Sequence, residues 1–139
     1  MNKQQKNYAL AKAAYELARE EIAKHEQAFI ARENIRNPDG SVPASLWMLE
    51  CDDEEYFNAL CDKLYSSEGF SALCDGESEA RKVLHDAEEE LIDYGLSLPM
   101  PPDVRQTLHE HRNDWKVHDK LIDLTFRLNT RTVRAGGRV

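Results

Sequence analysis

The first 36 residues constrain the fold most, because they contain neither proline nor glycine and are rich in strong helix formers. Apolar and small residues recur there at alternating steps of three and four, which is the spacing of a heptad seam along one helix face. The seam comprises Tyr8, Ala11, Tyr15, Ala18, Ile22, His25 and Phe29. The pattern predicts a single helix of about 33 residues, roughly 50 Å long at 1.5 Å per residue.

Later helices are predicted from breaks and from the return of the same spacing. Asn37-Pro38-Asp39-Gly40 ends the first helix, since every residue in it favours a turn. A short apolar helix is predicted over residues 41–50, and another begins at Asp52, with Asp52 as N-cap and Glu55 completing a capping box. Residues 66–76 are predicted as a loop that allows one helical turn over residues 70–73. Further helices are expected over residues 77–95 and 103–129, separated by a proline-rich break.

The fold predicted from these segments is all-α, because no stretch alternates polar and apolar residues as a strand would. We expect a helical bundle of three long antiparallel helices with one or two short inserted helices. The 139 residues suit one domain. We assign that single domain to residues 1–130 and a flexible basic tail to residues 131–139, where Arg131, Arg134 and Arg138 lie without an apolar pattern.

Charge is distributed unevenly along the chain. The net charge is −8, but residues 50–93 contain fifteen acidic and three basic residues, a net charge of −12. Acids near a helix start can be explained by capping and by the helix dipole. A later block opposes that dipole and places like charges four residues apart. We therefore predict a partner-binding acidic surface, with a solvated, solubilising face as the open alternative. Its residues are Asp86, Glu88, Glu89, Glu90 and Asp93, together with Asp52, Asp53, Glu54 and Glu55.

Catalytic motifs are not recognisable in the sequence, so neither an enzyme nor a cofactor or metal site is predicted. The three cysteines have neither a disulfide nor a zinc spacing and read as small, partly buried apolar residues. The alternative is a Mg²⁺-dependent helical nucleotide hydrolase, which would need paired carboxylates on facing helices. Glu90 and Asp93 have the required spacing, and Asp52 with Glu55 is the nearest second pair.

The function expected by elimination is that of a non-enzymatic protein-binding module. Its acidic surface would engage, and inhibit as a nucleic-acid mimic, a basic nucleic-acid-binding protein, because the net charge repels nucleic acid itself. We expect no membrane binding and, lacking a signal-peptide pattern at the N-terminus, a cytoplasmic location. A short, acidic, long-helix chain of this type is typical of accessory proteins of phages and mobile elements.

Self-association is predicted from the composition of the first helix. Its seam is mostly small or polar-tipped, which suits a helix–helix interface better than the centre of a core. A rod of roughly 50 Å is also longer than the other helices can cover. We expect a homodimer through Tyr8, Ala11, Tyr15, Ala18 and Ile22. The alternative is that the short helices over residues 41–66 fold back and cover this seam within one chain.

Overall fold

The chain is helical throughout the part that the structure describes. The computed structural model describes the backbone of residues 1–114 and 118–136, and the side chains of residues 1–114 and 118–127. These ranges contain no β-strand, and their α-helices are α1 (Lys3–Arg32), α2 (Glu54–Tyr65), α3 (Phe70–Leu96), α4 (Pro102–Glu110) and α5 (His118–Gly136). The predicted all-α class is confirmed. The antiparallel arrangement of three long helices stays a prediction.

Helix α1 follows its prediction closely and ends at Arg32, four residues earlier than expected. The end is closed by Asn34, whose φ of 54° lies in the left-handed region that asparagine tolerates. The Ile35 amide then donates back to the Ile30 carbonyl at 3.0 Å, and the Ile35 side chain is buried. The helix therefore ends in a left-handed C-cap at Asn34, stabilised by the buried Ile35 side chain, before the Asn37–Gly40 turn begins.

The segment between α1 and α2 corrects two predictions. Residues 41–50 do not form a helix; a single 3₁₀ turn, Leu46–Met48, replaces it. The N-cap of α2 is Asp53 rather than Asp52, because an Asp53 carboxylate oxygen accepts from the Tyr56 amide at 3.1 Å. Helix α2 consequently begins at Glu54, and the predicted capping box between Asp52 and Glu55 is wrong.

Helix α3 begins at Phe70, so the predicted loop is confirmed over residues 66–69 and is wrong over residues 70–76, where a long helix begins in place of a single turn. Gly69 supplies a φ of 84° immediately before the helix. The Phe70 ring is buried. Its centroid lies 5.4 Å from the centroid of the Tyr65 ring and 5.3 Å from that of the His25 ring. Burying a phenylalanine contributes about 2–3 kcal/mol, which exceeds the roughly 1 kcal/mol cost of Gly76 in a helix interior.

The predicted last helix is divided into α4 and α5. Helix α4 ends at Glu110, and the Arg112 and Asp114 amides donate to the carbonyls of His109 and His111 at 3.4 and 3.0 Å. Asn113 and Asp114 favour such turns. Residues 115–117, including the Trp115 that the pattern placed on an apolar seam, lie outside the described residues.

The described residues divide into two compact units, which we name the middle unit (Ala13–Arg81) and the terminal unit (Met1–Lys12 with the described residues from Lys82 onward). The middle unit has its own core, in which α1, the 3₁₀ turn, α2 and the start of α3 each bury apolar residues. That core is formed by Phe29, Ile30, Ile35, Leu46, Leu60, Leu64 and Phe70.

The terminal unit has a second core, where α3 meets α5. Leu91, Ile92, Leu121 and Ile122 are buried, and the Tyr8 ring lies 6.0 Å from the Phe126 ring between centroids. Helix α5 continues to Gly136. The flexible basic tail predicted over residues 131–139 lies beyond the described side chains, which end at residue 127. That tail and the single domain over residues 1–130 stay predictions.

Within the described ranges, no helix combines the length and the apolar character needed to cross a membrane.

Candidate functional site

The acidic block on α3 is partly used within the terminal unit itself. Glu88 Oε2 lies 2.8 Å from His118 Nε2. Arg112 Nη2 lies 2.9 Å from Glu89 Oε2 and 2.6 Å from Asp93 Oδ1. Three of the five predicted partner-binding acids on α3 thus stabilise the unit that carries them. Asp86 and Glu90 are exposed and make no hydrogen bond or ion pair with another described residue.

The Glu88–His118 contact changes the titration of the imidazole. Burial of the ring disfavours its charged form, but the hydrogen bonds to Glu88 and to the Arg112 carbonyl favour it more strongly, so the pKa of His118 is raised. A charged imidazole facing a half-buried carboxylate is a charge-assisted hydrogen bond. The pair therefore ties the start of α5 to α3 most firmly when His118 is protonated.

A pH dependence of stability follows from this pair. Because the folded pKa lies above the ordinary value of about 6.5, the stabilisation is fully present below that pH and is lost as pH rises through the folded pKa. We expect Glu88→Gln to lower the free energy of unfolding by on the order of 1 kcal/mol below about pH 6, and by less at higher pH. Urea unfolding across pH measures this difference, with the exposed Glu90→Gln as control. Parallel curves for the Glu88→Gln variant and the unmodified protein would contradict the assignment.

The acidic block at the start of α2 lies in the middle unit and is mostly free. Asp53 caps the helix, whereas Asp52, Glu54 and Glu55 are exposed and form no hydrogen bond or ion pair with another described residue. The longer segment over residues 37–62 contains seven acidic residues and no lysine, arginine or histidine. This segment, which we name the acidic segment, presents carboxylates without any cation of its own.

Exposed apolar side chains, which the sequence does not predict to be exposed, lie in the same segment. Leu46 is buried and Leu49 packs against the middle core, whereas Trp47 and Met48 are 84% and 65% exposed. A 3₁₀ turn places residues three apart on one side. Leu46 and Leu49 thus face inward while the two residues between them face outward. The spacing of Leu46 and Leu49 is the sequence signal for this inward face, but the same spacing also fits the apolar helix predicted over residues 41–50.

The seam proposed as a dimer interface is covered within the chain at several positions. Tyr8 packs on the terminal core, Ile22 packs on the middle core, and Ala11 is buried. Tyr15 and Ala18 are half-buried. The contact of Ile22 with the middle core agrees with the alternative in which residues 41–66 fold back over the seam, whereas Tyr8 packs on the terminal core. A homodimer stays a prediction, which sedimentation equilibrium would test.

The carboxylates considered for a metal-dependent hydrolase have other contacts or no companion ligands. Asp93 is bound to Arg112, and Glu90 lies beside it without a third ligand. Asp52 and Glu55 belong to the middle unit, whereas Glu90 and Asp93 belong to the terminal unit. Among the described residues, no group of three or more histidine, cysteine or carboxylate side chains is arranged to hold a metal ion.

An open groove of about 470 Å³ lies in the middle unit between α1 and α3. Its charged side chains already have partners. Arg81 is paired with Glu77, the Arg19 guanidinium lies 5.7 Å from the Tyr15 ring centroid, and Glu26 accepts from the Leu46 amide at 2.6 Å. The lining carries two positive and two negative residues, so the groove offers no surplus of charge to an ionic ligand.

The cysteines agree with their predicted role as partly buried apolar residues. Cys61 and Cys74 pack against the middle core, and burial, helped by nearby carboxylates, raises the pKa of each thiol. A raised pKa disfavours the nucleophilic thiolate. All three cysteines are free thiols.

Comparison with models of protein families, with curated proteins and with solved structures finds no match to this chain.

Proposed function

We propose that this protein is a non-enzymatic binding module whose acidic surface engages a basic, nucleic-acid-binding partner protein and blocks its nucleic-acid site. The observation that supports the proposal is the acidic segment, in which Asp52, Glu54 and Glu55 are exposed without a cation among the described residues. Carboxylates arranged in this way attract a basic protein surface and repel the nucleic acid that such a surface normally binds.

The acids on α3 have a smaller part in this proposal. Glu88, Glu89 and Asp93 contact His118 and Arg112, so Arg112, joined by His118 when it is protonated, offsets part of their charge. Asp86 and Glu90 remain available beside them. Reversing the charge at Glu88 or Glu89 would break internal contacts, so a loss of binding there could reflect unfolding. The acidic segment allows a cleaner test.

The test is charge reversal in the acidic segment. We expect the triple variant Asp52→Lys, Glu54→Lys and Glu55→Lys to bind the partner at least about tenfold more weakly, because steering and pairing by these charges are lost. The partner is captured from the native host and identified by mass spectrometry. Its affinity for the purified protein is then measured by calorimetry at increasing salt, where screening should weaken binding. A nucleic acid that binds the partner should compete.

The matched control reverses three exposed acids on α1. The variant Glu16→Lys, Glu20→Lys and Glu21→Lys changes the net charge equally but lies outside the acidic segment, so its affinity should fall much less. An affinity that is independent of salt, or an equal loss in both variants, would refute the proposed function.

A further inference from the structure

The exposed tryptophan of the acidic segment lies against another aromatic ring. The Trp47 ring centroid lies 5.9 Å from that of Phe57 in an edge-on contact, while most of the indole is open to solvent. Phe57 lies in the first turn of α2, where its amide donates to the Asp53 carbonyl at 3.0 Å. Trp47 therefore stands beside the turn that carries Glu54 and Glu55.

Solvent exposure at this position has no explanation in the packing of the middle unit. Met48 and Tyr56 are also exposed, at 65% and 49%, next to this tryptophan and this turn in the sequence. Large aromatic side chains that dominate binding energy are typically found at the centre of protein interfaces, surrounded by polar groups. An exposed indole with acidic neighbours fits that arrangement.

The chemistry of the segment selects a cationic protein as the occupant. The face of an indole is the best aromatic surface for an arginine or lysine cation, and nearby carboxylates pair with further cations. The acidic segment, with seven acids and no base, repels nucleic acid and anionic lipid alike. Arginine is also enriched in protein interfaces, where it stacks on aromatic rings.

We infer that Trp47 is the anchor of the binding surface: its indole stacks on an arginine or lysine of a cationic protein segment, while Asp52, Glu54 and Glu55 pair with flanking basic residues. This inference rests on the proposed function and assigns it to one surface of the middle unit. It adds that recognition requires an aromatic contact and does not depend on charge alone.

The experiment uses a fluorescently labelled peptide of four Arg-Gly-Ser repeats and measures its anisotropy with the full chain at low salt. We expect Trp47→Ala to weaken binding about tenfold, because cation–π contacts and aromatic interface anchors contribute at that level. Trp47→Phe should retain part of the affinity, since phenylalanine keeps a weaker aromatic face. Val83→Ala, which removes a half-exposed apolar side chain in the terminal unit, should change the affinity less than about twofold.

The outcomes separate this inference from the proposed function. If Trp47→Ala binds like the unmodified chain while reversal of Asp52, Glu54 and Glu55 abolishes binding, the inference is overturned and the proposed function stands. If the unmodified chain does not bind the peptide, both are overturned. If sedimentation shows a dimer that Trp47→Ala converts to a monomer of 16.0 kDa, a second copy occupies the surface and the inference fails.

Discussion

Replacing Phe29 by alanine is expected to lower the free energy of unfolding by about 3–5 kcal/mol, which is the usual cost of truncating a buried phenylalanine. Phe29 is 1% exposed and is among the largest fully buried side chains of the middle core. Its removal leaves a cavity among residues of α1, α2 and the 3₁₀ turn, and these can collapse only in part. Urea unfolding monitored by circular dichroism measures the loss.

Met48→Ala is the matched control, because it removes a side chain of similar size that is mostly exposed. Its effect should remain within about 0.5 kcal/mol. A loss at Phe29 no larger than the loss at Met48 would show that the middle core is wrongly assigned.

A companion variant in the terminal core extends the same experiment to the predicted single domain. Leu91 is fully buried there, so Leu91→Ala should cost about 2–5 kcal/mol. If residues 1–130 unfold as one domain, both variants shift a single transition. Two separate transitions, each moved by only one of the variants, would instead make the two units independent domains.

The sequence was sufficient where a single local cause determined the structure. Helix α1 could be predicted because 36 residues without proline or glycine leave no competing conformation, and the turn at Asn37–Gly40 bounds it. Residues 66–76 are the opposite case, since three serines and two glycines favoured a loop there. There the burial of Phe70 against Tyr65 and His25 outweighed local preference. The contact with His25 joins residues distant in the sequence and has no local signature.

The prediction of one continuous last helix was wrong for a related reason. A heptad pattern over residues 103–129 predicted continuity, yet the chain turns after Glu110. Arg112 in that turn reaches Glu89 and Asp93 on α3, contacts that span 23 and 19 positions in the sequence. The turn-forming pair Asn113-Asp114 was the local signal, and the pattern around it obscured that signal.

The candidate surface was predicted only in composition. The sequence identified the acidic residues, but it could not distinguish Glu88, Glu89 and Asp93, which have cationic partners on other elements, from Asp52, Glu54 and Glu55, which have none among the described residues. It also could not show that Trp47 faces outward, because exposure depends on how the 3₁₀ turn sits on the middle core. Charge is a local property of the sequence, whereas neutralisation and exposure are properties of the packed chain.

Two glycines of α3 provide the second large effect, because the same substitution should change stability in opposite directions. A Cβ atom built on Gly95 would lie 2.6 Å from the Thr125 hydroxyl and 3.1 Å from its methyl group, whereas one on Gly76 meets nothing within 4 Å. Thr125 is buried and its hydroxyl donates to the Leu121 carbonyl at 2.9 Å, so it cannot turn away without losing that bond.

Gly95→Ala should therefore destabilise the protein by about 1–3 kcal/mol through overpacking. Gly76→Ala should stabilise it by roughly 0.5–1 kcal/mol through helix propensity alone. Urea unfolding of both variants gives the comparison. Gly95→Ala combined with Thr125→Ala should recover part of the loss, because it removes the hydroxyl, which lies nearest to the added Cβ, and the methyl group of Thr125. Equal effects at the two glycines would mean that α3 and α5 do not approach each other closely at Gly95.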